Sequence, residues 1–142
     1  SEIELDVEKK QVEEFLREVV RTYPKATYGE KMIRIALEKG AVQTLLLSEE
    51  LRKRTSELKC NSCNHEWKVS MLRTDPIPNC PKCGAESDSI EELSEMDIIE
   101  ELSKLAQKSA SKVVLISVDT EEGATLFNGF GGMAAVLRYS IG

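Results

Sequence analysis

AVQTLLL, residues 41–47, is an apolar run of strand length that lacks the polar–apolar alternation of a strand with one wet face. Such a run belongs at the centre of a parallel or mixed sheet that is covered on both sides. The flanking chain can supply that cover. Before it, Ile3, Leu5, Val12, Phe15, Leu16, Val19 and Val20 recur at helical spacing until Pro24 stops the pattern. Thr27 with Glu30 three residues on reads as a capping box opening a second helix through Met32, Ile33, Ala36 and Leu37, and Gly40 suits its left-handed stop. After it, Ile98, Ile99, Leu102, Leu105 and Ala106 form one helical stripe, with Lys104 and Lys108 towards the C-terminal end. KVVLISV (112–118) reads as a second buried strand, DTEEGATLFNGF (119–130) as a short helix ending in glycines, and MAAVLRYSI (133–141) as a third strand. The order α, α, β, insert, α, β, α, β predicts a three-layer α/β sandwich with a mixed sheet. Its core is expected over residues 1–58 and 88–142, interrupted by an inserted ribbon over 59–87.

The texture of that insert differs from its surroundings. CNSCNHEWKVSMLRTDPIPNCPKCG (60–84) holds all four cysteines as two CxxC pairs, Cys60 with Cys63 and Cys80 with Cys83, separated by sixteen residues. This spacing fits a four-cysteine zinc site in which each pair forms a tight turn that aims both thiolates at one ion. Gly84 can adopt positive φ and let backbone N–H groups face sulfur. Four thiolates fill a tetrahedral shell and leave no position for water or substrate, so Zn²⁺ would be structural. Two disulfides, or a redox-active CxxC, are the competing readings. Disulfides suit exported chains, whereas a thioredoxin-type motif is a single pair that opens a helix. His65 reads as a surface or packing residue beside a ligand set that is already complete. Trp67 reads as apolar filler for a ribbon too small to fold without its ion.

Charge narrows the function classes. The formal net charge is −6, and between Asp88 and Glu101 seven carboxylates occur without a Lys or Arg. That run reads as the solvated face of a helix, or as a docking surface for a basic partner, and either way it works against a broad nucleic-acid-binding face. No segment approaches the roughly 18 apolar residues of a membrane span. The first residues are acidic, lack Met and do not read as a signal peptide, so the chain is expected to derive from a longer one. NGFGG (128–132) follows a helical pattern and precedes a strand, the reverse of a phosphate-binding loop. With one histidine and no nucleophile arrangement, an enzyme is not expected.

Taken together, ATYGEKMIRIALEKGAVQTLLLSEEL (26–51), the paired CxxC insert and VVLISVDTEEGATLFNGFGGMAAVLRYSIG (113–142) closely resemble the C-terminal domain of archaeal class-1 peptide chain release factors. The resemblance covers nearly the whole chain. It implies that the full factor enters the ribosomal A site, reads stop codons with an N-terminal domain and directs water onto peptidyl-tRNA with a Gly-Gly-Gln motif in a middle domain. Neither part is in this chain: Gly131-Gly132 is followed by Met133, and no Asn-Ile-Lys-Ser motif occurs. The resemblance further implies a cytoplasmic protein-interaction domain that binds a translational GTPase of the elongation-factor type. A recycling ATPase of the ABC class is an implied second partner, and the ribosome is reached through the full factor. The glycine-rich ending and following strand contribute to the GTPase contact in the family, which carries over to Phe130, Gly131, Gly132, Leu137, Arg138 and Tyr139. Ala135 and Val136 stand where the family has Gly and Ile. Two alternatives remain open: an RNA-binding module like the kink-turn-binding ribosomal proteins, and the matching domain of the rescue factor Pelota, which resembles this core but lacks the insert.

Overall fold

The computed structural model describes residues 1–141. In chain order its main elements are α1 (Glu2–Val19), β1 (Ala26–Tyr28), α2 (Glu30–Glu38), β2 (Val42–Ser48), β3 (Lys53–Cys60), β4 (Glu66–Leu72), β5 (Ile90–Asp97), α3 (Ile98–Lys108), β6 (Lys112–Ile116), α4 (Glu121–Phe130) and β7 (Met133–Leu137). They form two compact units, Ser1–Leu51 with Leu102–Gly142, and Arg52–Glu101.

The first unit is built on a mixed sheet ordered β1-β7-β2-β6, with β6 parallel to β2 and β7 antiparallel to both its neighbours. AVQTLLL supplies the central strand, and Val42, Leu45, Leu46 and Leu47 are all fully buried. On one face Val12 and Phe15 of α1 and Leu126 of α4 pack with Leu46, Ala134 and Val136. The two-residue period of the strands turns Leu45, Leu47, Ala135 and Leu137 to the opposite face. There α2 packs on β7 and buries Ile33, Ala36 and Leu37. Buried Leu102 and Ala106 give α3 its inward stripe.

The sequence expectations for this unit need three corrections. Thr27 does not cap α2: it lies in a fourth strand, β1, paired with Ala135, and Gly29 at φ 85 is the N-cap, without a side-chain bond. Three residues are too few for periodicity to reveal a strand, and β7 supplies the pairing. KVVLISV is not buried on both faces, because β6 is an edge strand with Lys112 exposed and Leu115 43% exposed. At the ends of α1, Ile3 and Val20 face solvent at 78% and 81% exposure, so the apolar stripe outruns the surface that covers it.

The second unit is an antiparallel sheet ordered β4-β3-β5. It takes in more chain on both sides than an insert over 59–87, because β3 begins at Lys53 and β5 runs to Asp97. The acidic stretch before Asp97 is therefore a strand, not a helical face, and α3 starts only at Ile98. Its carboxylates meet cations across the sheet. Arg54, with a side chain 12% exposed, sets its Nε 3.3 Å from Glu92 and 3.5 Å from Glu95. The rest of its guanidinium donates to the carbonyls of Leu72, Arg73 and Asp75, pinning the turn after β4. Arg73 also pairs with Asp97, and Lys68 with Glu101. A register shift at Glu57/Leu58 leaves Leu93 without a partner on β3, a bulge that suits an edge strand.

Candidate functional site

β3 delivers Cys60 at its last residue, and a turn brings Cys63 back beside it before β4 begins. Here the Cys60 N–H donates to the His65 carbonyl (2.8 Å) and the Asn64 N–H to the Cys60 carbonyl (2.8 Å). The second pair repeats this at the same offsets: the Cys80 N–H donates to Ala85 (2.9 Å) and the Gly84 N–H to Cys80 (3.0 Å). Asn64 (φ 64) and Gly84 (φ 75) hold the left-handed conformation that closes each turn. The sequence reading singled out Gly84 and overlooked Asn64, although each directly follows the second cysteine of its pair.

The two turns face each other across the sulfurs. Cys60 Sγ lies 3.7 Å from Cys83 Sγ, and Cys63 Sγ lies 3.7 Å from Cys80 Sγ. All four ligand atoms fall within 4.8 Å of one another. A tetrahedron with metal–sulfur bonds of ~2.3 Å has edges of ~3.8 Å, which the two 3.7 Å pairs match, so the donor set suits a thiolate-bound metal ion. Burial disfavours the Cys80 thiolate, but the N–H groups of Cys83 and Lys82, at 3.5 and 3.4 Å, and the neighbouring thiols outweigh it. Its pKa falls from 9.0 to about 7. At Cys63 a bond with the His65 backbone acts to lower the pKa, yet burial and three sulfur neighbours together push it up to about 11. Four thiolates this close need a cation among them. His65 is outside the cluster and stacks on Trp67, ring centroids 5.3 Å apart and planes at 11°. The ligating positions are thus all filled by cysteine, and the set can hold an ion without offering an open coordination site.

The C-terminal residues belong to the other unit. Phe130 is half-buried, edge-on to Phe15 at 5.1 Å and to Tyr28 at 5.0 Å. Gly131, at φ 73, is the left-handed C-cap of α4. Gly132, at φ 81, is buried, and a Cβ there would come within 3.1–3.3 Å of Leu51 and Ser48. Leu137 is 2% exposed. Arg138 and Tyr139 are exposed but engaged within the fold. The Arg138 guanidinium donates to the carbonyls of Gly40 (2.8 Å), Ser109 (2.9 Å) and Ala110 (3.2 Å), clamping the C-terminal ends of α2 and α3, while the Tyr139 hydroxyl donates to Lys39 (3.0 Å). These two side chains satisfy carbonyls that helix termini otherwise leave to water.

Residues 5–141 match the family described as eRF1 domain 3. The chain belongs to that family. As a member of eRF1 domain 3 it is 44% identical over 140 residues to peptide chain release factor subunit 1 of Pyrococcus abyssi, covering 94% of this chain and 33% of that protein. The domain therefore spans about a third of the length of the curated relatives it matches. Among solved structures it is similar to the C-terminal domain of a peptide chain release factor from Methanosarcina mazei, at a TM-score of 0.83 and 42% identity over 97% of this chain and 85% of that one. A chain from a ribosome-bound archaeal Pelota and ABCE1 assembly shares the fold, at a TM-score of 0.55 and 23% identity over 97% of this chain and 28% of the other. No described helix is long and apolar enough to cross a membrane.

Proposed function

We propose that this chain is the protein-docking C-terminal domain of a cytoplasmic translation termination factor. In this reading it recruits a translational GTPase of the elongation-factor type, while stop-codon reading and peptidyl-tRNA hydrolysis belong to other parts of the longer protein. One observation carries the reading: identity above 40%, along nearly the whole chain, to one third of archaeal release factor subunit 1 and to an isolated C-terminal domain. The fold's occurrence in a ribosome-bound Pelota and ABCE1 assembly supports the ribosome and an ABC-class protein as further partners. Docking in this reading involves both ends of β7: Gly131 is exposed just before the strand, Arg138 and Tyr139 are exposed just after it, and Phe130, Gly132 and Leu137 hold the backbone that presents them. In this reading the four cysteines hold a structural Zn²⁺ whose tetrahedral shell they fill, and the domain itself catalyses no reaction. The ion's contribution is to fasten β3 and β4 to the second CxxC turn.

Calorimetric titration of the domain with a GTP-bound archaeal elongation-factor GTPase tests the proposal. Saturable one-to-one binding that weakens in Tyr139→Ala is expected. Salt-sensitive binding to kink-turn RNA, with none to the GTPase, would overturn it in favour of the RNA-binding alternative.

A further inference from the structure

On the α2/α3 side of the first unit lies a groove of about 460 Å³, in the size range of a ligand-binding cleft. Its floor is Leu37 of α2 and half-buried Leu105 of α3, and Arg34, Glu38 and Lys108 stand at its margins. The α1/α4 layer packs on the other face of the sheet, so nothing in that layer shares this surface.

Three observations bear on what the groove accepts. The first is charge. In a chain of net charge −6, the stretch from Leu102 to Val118 carries Lys104, Lys108 and Lys112 and no carboxylate. Lys108 is exposed and forms no ion pair or hydrogen bond among the described residues, whereas Arg34 is paired with Glu30 at 3.1 Å. The α3 margin of an apolar cleft thus presents a cation that is unpaired among the described residues, while the carboxylate in the lining, Glu38, belongs to the α2 margin.

The second is rigidity. Gly40 and Ser109, which close the end of the groove, are the residues whose carbonyls Arg138 grips. Next to them Ala110 is held at φ 54, a left-handed conformation that a non-glycine residue adopts only when its surroundings enforce it. Ser111 Oγ adds a bond to the Val42 carbonyl at 2.7 Å and contacts Ser109 Oγ at 2.9 Å. The cleft is preformed, which lowers the ordering cost of binding. The third is Glu38 on the α2 margin: it repels a phosphate backbone that runs the length of the cleft, and it confines the carboxylates of any partner to the α3 margin, where Lys108 stands.

We infer that the α2/α3 groove docks an acidic amphipathic helix of a partner protein. Apolar side chains at helical spacing would rest on Leu37 and Leu105, with carboxylates directed at Lys108 and the α3 margin. This surface goes beyond the contact proposed for the ends of β7 and does not depend on it.

The test is an NMR titration of the ¹⁵N-labelled full chain with three probes: a synthetic helical peptide of leucine, alanine and glutamate, its lysine-for-glutamate counterpart, and a kink-turn RNA. The inference predicts that the acidic peptide shifts the amides of Leu37, Gly40, Leu105 and Ser109, and that the basic peptide leaves them in place. Lys108→Glu should raise the Kd by about fivefold or more, since it replaces an attractive charge by a repulsive one, and added salt should narrow the difference. Lys108 is exposed and unpaired among the described residues, so its variant keeps the fold; Leu105→Ala, checked for an unchanged spectrum outside α3, gives a second loss of affinity. Equal response to the basic peptide, shifts elsewhere on the domain, no response, or RNA shifting these amides in place of the acidic peptide would each overturn the inference. All of those outcomes leave GTPase binding at the ends of β7 to be judged by its own titration.

Discussion

Arg138→Ala separates two roles that the release-factor resemblance merges. The guanidinium donates three hydrogen bonds, of 2.8, 2.9 and 3.2 Å, to carbonyls that follow α2 and α3. A hydrogen bond from a charged donor stabilises by more than a neutral one, but solvent screening at an exposed side chain brings each to about 0.5–1 kcal/mol. Placing a cation at two helix C-termini, worth about 0.3–1 kcal/mol each, is part of the same energy. The sum is about 2 kcal/mol. For a unit of this size each kcal/mol moves Tm by about 4–8 °C, so the variant should melt about 10 °C lower by far-UV circular dichroism. Arg138→Lys, which keeps the charge but cannot fork across the carbonyls, should fall between. If Arg138→Ala melts within about 2 °C of the parent, the clamp contributes nothing and its bonds are equivalent to water. In that case any loss of GTPase affinity in the variant reports a direct contact; with the expected fall in Tm, Tyr139→Ala is the cleaner probe of docking.

Other substitutions and treatments test the remaining structure. Gly123→Ala should destabilise the first unit by about 3 kcal/mol, because its Cβ would sit 1.8 Å from the Ser117 carbonyl oxygen; an unchanged urea midpoint would contradict this. Removing the proposed Zn²⁺ with a strong chelator should unfold the β4-β3-β5 sheet and red-shift Trp67 emission while helical circular dichroism persists. Unchanged indole emission after complete metal removal would show that the ribbon stands without its ion. Arg54→Met should cost about 2 kcal/mol, mainly by taking the donor from half-buried Glu92 and from the carbonyls of Leu72, Arg73 and Asp75, while exposed Glu95 turns to water; it is read as faster amide exchange confined to residues 52–101.

Much of the fold was legible because burial on two faces leaves a mark on sequence. AVQTLLL reads as a central strand, since a strand covered on both sides has no reason to alternate. The cysteine turns were legible for a different reason: two intervening residues are what a tight turn around one ion requires. What escaped depends on pairing partners distant in sequence. Ile90–Asp97 carries one serine and four acids that look like a solvated helix until Arg54, 38 residues away from Glu92, is found among them. β1 is too short to show a period and exists because β7 has a free edge for it. Arg138 and Tyr139 were recognisable as unusual in an apolar strand, but their helix-capping bonds span about 100 positions in sequence for Tyr139 and no local pattern announces them. Asn64 needed only a comparison of the two CxxC turns, with Gly84 as the guide.

The most direct test of the central claim is peptide release on archaeal ribosomes programmed with a stop codon, with the isolated domain added alone and then in excess over the full-length factor and its GTPase. The account predicts no peptide release by the domain alone, and a fall in the release rate of the full factor as the domain titrates the GTPase. Release by the domain unaided, or a rate indifferent to saturating domain, would contradict it.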